Sequence, residues 1–76
     1  MKKKTISKYK WDRIRDSVHR RDVQRFGVYD KHGCIELVIF DIYLKGFLYR
    51  HEYSCRYWGG YGRPVSRWYR YDLREV

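Results

Sequence analysis

The tetrapeptide Leu44-Lys45-Gly46-Phe47 constrains this chain more than any other feature. It separates CIELVIFDIYL (residues 34–44) from FLYRHEYSCRYW (47–58). Both runs are rich in branched and aromatic residues, and the second alternates between apolar and polar positions, the signature of strands. A Lys-Gly pair between two such runs predicts a two-residue hairpin turn. Placing Leu44 opposite Phe47 sets Ile42 against Tyr49, Phe40 against His51, Val38 against Tyr53 and Cys34 against Tyr57. On the other side of the same hairpin Asp41 faces Arg50. Both sides are chemically matched, and a slip of one residue would invert every side chain.

The next run, VSRWYRYDL (65–73), follows the break GGYGRP. Glycine and proline there mark a loop. We set Tyr57 opposite Val65, which brings Tyr53 to Tyr69, His51 to Tyr71, and Tyr49 to Leu73. The reverse side then pairs Glu52 with Arg70 and Arg50 with Asp72. In this arrangement one face (Val38, Phe40, Ile42, Leu44, Phe47, Tyr49, Tyr53, Tyr57, Val65, Tyr69, Tyr71, Leu73) is core. The reverse face presents Arg50, Arg56, Trp58, Ser66, Trp68, Arg70 and Arg74 with Glu52 and Ser54. Interleaved cations and rings of this kind suit unstacked bases and phosphates. The structural alternative is a set of cross-strand ion pairs worth about 0.2–1 kcal/mol each.

Upstream, VQRFGVY runs into the turn sequence DKHG. A simple hairpin there adds Phe26 and Val28 to Ile35, Leu37 and Ile39 on the reverse face. The second strand is then apolar on both sides, and one helix can cover only one of them. A contiguous apolar patch usually marks an interface, so a homodimer or a stable complex with another protein is expected.

Residues 7–22 read as a helix. Ser7 is a plausible N-cap, and Trp11, Ile14 and Val18 fall on one stripe. Lys10, Arg13, Ser17, Arg20 and Arg21 lie opposite and beside it, and Asp16 can pair with Arg20 one turn on. A competing reading makes KTISKYKW an alternating strand; we take the helix. Residues 1–6 read as a basic tail, and 7–76 as a single α+β domain. Its amphipathic basic helix packs on a twisted antiparallel meander of about four strands, near 24–29, 34–44, 47–58 and 65–73.

Charge narrows the partners. The chain carries 18 Lys and Arg against 9 Asp and Glu, a net of +9. Residues 1–25 hold ten cations and three anions, 26–55 three and four, and 56–76 five and two. The field therefore sits at the two ends, which favours a polyanion or an acidic protein as partner. Aromatics make up 20% of the chain and nine are Tyr, enough to build a core in a small domain or to stack on bases. No apolar run is long enough for a membrane span, and the basic start lacks the apolar stretch of a signal peptide. A cytoplasmic location with reduced cysteines follows.

Sites of bond-making chemistry are poorly supported. His32, Cys34, His51 and Cys55 do not match a zinc spacing, and on a strand His51 and Cys55 would lie about 13 Å apart. Cys34 and Cys55 share a face and read as a pair of buried thiols, with a disulfide geometrically conceivable. YRHEY (49–53) holds groups used by metal-independent ribonucleases, but neighbours on a strand point to opposite faces, and a general acid and base must converge. GGYGRP has neither the lysine nor the following helix of a phosphate cradle. No catalytic residue, metal or cofactor is assigned.

The expectation is a non-enzymatic nucleic-acid or nucleoprotein-binding protein. Lys10, Arg13, Arg20 and Arg21 would hold phosphates, and Arg56, Arg63, Trp68 and Arg70 would form a second basic and aromatic contact. The alternatives are a small inhibitor or regulator, of the compact kind phages and other mobile elements encode, seated on an acidic surface of a larger protein, and a small ribonuclease using His51.

Overall fold

The computed structural model describes residues 2–54 and 64–74. The fold is α+β: one helix lies across an antiparallel sheet of five strands. In chain order the elements are β1 (Lys2–Thr5), α1 (Lys8–Ser17), a 3₁₀ turn (Arg20–Asp22), β2 (Gln24–Tyr29), β3 (Ile35–Leu44), β4 (Phe47–Ser54) and β5 (Val65–Asp72). The sheet order is β1-β5-β4-β3-β2. The last four strands form the expected meander, and the fifth is the segment expected as a tail.

Lys2–Thr5 pairs with Asp72–Tyr69. Ile6 explains why. It is buried, and its backbone N–H donates to the carbonyl of Trp68 at 3.0 Å. Once Ile6 is anchored in the core, the preceding residues lie along β5. Lysines suit such an edge position, because their charge repels another strand.

The helix begins as expected. The Ser7 hydroxyl accepts from the Lys10 N–H at 3.1 Å, satisfying a donor that the helix leaves unpaired. It ends at Ser17 rather than Asp22. Val18 is already extended, and a separate 3₁₀ turn follows, capped by His19, whose Nδ1 accepts from the Arg21 N–H. The break lets Val18 and Val23 both reach the core, which a continuous helix through Asp22 would prevent. Asp16 lies 3.8 Å from Arg15, because Arg20 has left the helix on which the i, i+4 pairing depended.

The hairpin β3–β4 has the register expected from sequence. Leu44 faces Phe47, Ile42 Tyr49, Asp41 Arg50, Phe40 His51 and Val38 Tyr53. Lys45 and Gly46 both take positive φ, 52° and 82°, as a hairpin turn with the twist of its strands requires. Ile42 is fully buried at the centre, with Ile6, Trp11 and Tyr49 around it. Phe40, Leu44, Phe47, Ile14 and Trp68 pack against them.

The β4–β5 register corrects the expectation. Tyr53 faces Ser66, His51 faces Trp68 and Tyr49 faces Arg70. The offset is three residues. Being odd, it sends β5 to the opposite face from that expected. Ser66, Trp68 and Arg70 share the helix-covered side. Tyr69 and Tyr71 join Arg50 on the reverse side, where Tyr69 is buried and the Lys3 ammonium sits 4.0 Å from its ring centre. Val65 and Leu73, expected in the core, are exposed. Tyr57 and Trp58 lie outside the described residues.

The reverse face is not uniformly open. Asp41 is 2% exposed. Arg50 grips it with two bonds, Nε to Oδ1 at 2.8 Å and Nη2 to Oδ2 at 2.9 Å. That carboxylate raises the Arg50 guanidinium above its ordinary pKa. Beside them Leu48 is buried. Toward β2, however, Phe26, Val28 and Ile35 are 47%, 41% and 41% exposed, with Leu37 and Ile39 half-buried between them. This is the apolar strip expected from the first hairpin, and Phe26 faces Ile39 and Val28 faces Leu37 within it. Among the described residues no helix is long and apolar enough to cross a membrane.

Candidate nucleic-acid interface

Four of the cations singled out in the sequence stand on one continuous segment. Lys10 and Arg13 project from α1, and Arg20 and Arg21 from the 3₁₀ turn; all four are exposed. What distinguishes them is the distribution of the carboxylates. Lys8 Nζ lies 2.7 Å from Asp12, and Arg15 lies 3.7 Å from Asp12 and 3.8 Å from Asp16. The Lys8 hydrogen bond holds the Asp12 carboxyl below its ordinary pKa. The anions of the helix are thus engaged by Lys8 and Arg15. Among the described residues, Lys10, Arg13, Arg20 and Arg21 have no carboxylate partner. Arg13 lies against the Tyr9 ring, its guanidinium carbon 5.9 Å from the ring centre.

Of the second group of residues the structure describes Trp68 and Arg70. Arg56 and Arg63 lie outside the described residues. Trp68 is half-buried: its ring stacks on His51 at 5.1 Å, and its indole N–H is buried without a hydrogen-bond partner among the described residues. Arg70 is half-buried on β5, with its guanidinium 4.7 Å from the centre of the Phe47 ring. It shares a groove of about 370 Å³ with Lys2, Lys3, Lys4 and Asp72. Reading residues 1–6 as a tail missed these lysines as partners of Arg70. The available signal was the alternation of Lys4, Thr5 and Ile6, which the helical reading set aside.

Sequence reasoning also missed a cleft. Val18, Val23, Phe40, Trp11 and His51 wall a space of about 600 Å³ between the end of α1 and the sheet, with Arg15, Asp16 and Arg20 at its mouth. The volume falls within the range of small-molecule pockets. His51 lies between two rings, Phe40 at 5.7 Å and Trp68 at 5.1 Å, and Trp11 tilts against it at 5.6 Å. Its Nε2 is 3.0 Å from the Ser66 hydroxyl. Burial pushes the His51 pKa down, and the nearby Arg15 charge adds to this, so the ring is neutral at pH 7. Glu52, its neighbour in sequence, lies on the other face of the sheet, opposite Ile39. The two cannot meet at one reacting centre.

Among the described residues no group of three or more His, Cys, Asp or Glu side chains is placed to hold a metal ion. Cys34 is exposed, not buried as expected; it sits at the end of the Asp30 turn, where its N–H donates to Asp30 Oδ1. Cys55 lies outside the described residues. Comparison of the chain with protein-family models, with curated proteins and with solved structures finds no match.

Proposed function

We propose that this protein binds nucleic acid without cutting it, through the outer side of α1 and the 3₁₀ turn. The observation that carries the reading is the set of four exposed cations, Lys10, Arg13, Arg20 and Arg21, which have no carboxylate partner among the described residues. Phosphates are the abundant ligands for such an array, and each one bound releases condensed counterions. The cleft with Arg15 and Arg20 at its mouth supports a nucleic acid over an acidic protein, since its walls are aromatic and suit an unstacked base. Arg70, with Lys2 and Lys4, offers a second cationic area at the β1 edge.

The test is a salt titration of binding to labelled DNA and RNA. Four phosphate contacts give a log–log slope of about −3.6 on duplex and about −2.8 on a single strand. Charge reversal at Lys10 and Arg13 should flatten the slope by roughly half in this scheme. Absence of affinity for any DNA or RNA at low salt rejects the reading.

The apolar strip of Phe26, Val28 and Ile35 favours a second reading, a small inhibitor or regulator held on a larger protein. Recovery of one stoichiometric protein partner, unaffected by nuclease, supports that alternative.

A further inference from the structure

The two edges of the sheet are built differently. β1 is Lys-Lys-Lys-Thr, with lysines on both faces. A row of lysines keeps a foreign strand from pairing there. β2 is Gln-Arg-Phe-Gly-Val-Tyr, with neither lysine nor proline. All six residues are exposed, among them Phe26, Val28 and Tyr29 at 47%, 41% and 60%. An edge strand presents every second N–H and C=O outward, and an undefended one is a template for another strand.

We propose that a second copy of this chain occupies the edge, its β2 antiparallel to the first about a twofold axis through Gly27. The sequence of β2 is self-complementary in that register. Gly27 meets Gly27 of the second copy. Phe26 meets Val28, apolar on apolar, on the reverse face. Arg25 meets Tyr29, a cation beside a ring, on the helix face. Gln24 meets Asp30. Twofold symmetry makes each unlike pair twice, as an isologous contact requires. Neighbouring registers that keep the faces aligned are worse. Centring on Val28 sets Phe26 against Asp30 and Arg25 against Lys31. Centring on Phe26 sets Gln24 against Val28 and leaves Arg25 against Gly27.

Two further features fit a second copy. At Gly27 a Cβ would stand only 3.1 Å from the Tyr29 ring, so that ring lies over the glycine on the face where Arg25 of the second copy would meet it. Charge also permits self-association at this edge. β2 itself carries one charge, Arg25, which meets a ring, and residues 26–55 hold three cations and four anions in a chain of net +9, so repulsion between two copies is weak there. The axis is perpendicular to the sheet, so both α1 helices lie on the same side of a continuous sheet. Their cationic surfaces then face one way.

Sedimentation of the full chain tests the proposal. The expected species has twice the 9.6 kDa chain mass and dissociates on dilution. Val28→Lys, at an exposed position opposite Phe26 of the second copy, should sediment at the single-chain mass at the same concentration, with an unchanged circular dichroism spectrum. Register is read by cysteine pairing in a Cys34→Ser, Cys55→Ser background. Phe26→Cys and Val28→Cys chains should cross-link when mixed, and neither should cross-link alone. This second measurement decides the matter if Val28→Lys fails to fold. A chain that stays at single mass at every concentration overturns the proposal and leaves the edge to a different protein. A dimer indifferent to Val28→Lys, or Phe26→Cys that cross-links to itself, also overturns it.

Discussion

Replacing Arg50 by Met should strongly destabilise this protein, although Arg50 is itself partly exposed. Its partner Asp41 is 2% exposed and receives both guanidinium bonds, at 2.8 and 2.9 Å. Methionine keeps much of the apolar stem beside Tyr71, whose ring lies 5.6 Å from the Arg50 guanidinium carbon, but leaves the carboxylate buried and unanswered. Breaking a buried pair from one side costs about 3–5 kcal/mol. We take about 3, because the Arg50 side chain is 28% exposed and its loss lets some water reach the acid. A chain of 76 residues is worth roughly 4–11 kcal/mol in all, so between about a quarter and three quarters of the margin goes. Urea unfolding followed by tryptophan fluorescence should show the midpoint falling by roughly 2–3 M, for an m-value near the lower end for small proteins. The double variant Asp41→Leu, Arg50→Met removes both charges and should recover to within about 1 kcal/mol of the parent, since an apolar pair of similar volume replaces an ion pair at little cost. A shift under about 0.5 M for Arg50→Met, or a double variant as unstable as the single, refutes the reasoning and with it the Asp41–Arg50 pairing.

The pH dependence of stability should carry the mark of His51. Burial holds its native pKa below the ordinary 6.5, so as pH falls below about 6.5 the unfolded chain takes up a proton that the native ring refuses, and stability drops until the native pKa is reached. Thermal melts between pH 7.5 and 5 should show this loss, and His51→Gln, which can still meet Ser66, should remove most of its slope. At the β3–β4 turn, Lys45 adopts φ 52°, a conformation that favours Asn over other side chains. Lys45→Asn should raise the melting temperature by about 4 °C, whereas Gly46→Ala should lower it, because Gly46 holds φ 82°, a conformation costly for a residue with a Cβ.

The parts of the fold that could be read in advance are those whose geometry is local. The two-residue turn at Lys45-Gly46 leaves one way to align its strands, and Asp41 opposite Arg50 checks it. Lys10 and Arg13 were likewise visible, because their places on α1 follow from the stripe of Trp11 and Ile14, whereas Arg20 and Arg21 stand on a 3₁₀ turn that the helical reading through Asp22 did not foresee. The β4–β5 register was not legible. The long connection between these strands fixes no alignment, and β5 carries aromatic rings at both parities, Trp68 on one and Tyr69 and Tyr71 on the other. Either face could therefore pass for core. The orphaned indole N–H of Trp68 is the kind of detail that only packing against His51 reveals. β1 escaped notice because three successive lysines read as solvated when their partner strand lies at the far end of the chain.

That distance in sequence has a kinetic side. Residues 24–54 form two hairpins by closing short loops, steps that take microseconds. Lys2–Thr5 has no such neighbour: its ladder runs to Tyr69–Asp72, so it must wait until nearly the whole chain is in place. Such long-range pairing slows folding. The first residues should dock last, carrying Ile6 into the centre as they do so. Until then β5 is an open margin, and the aromatic interior stays accessible from that side.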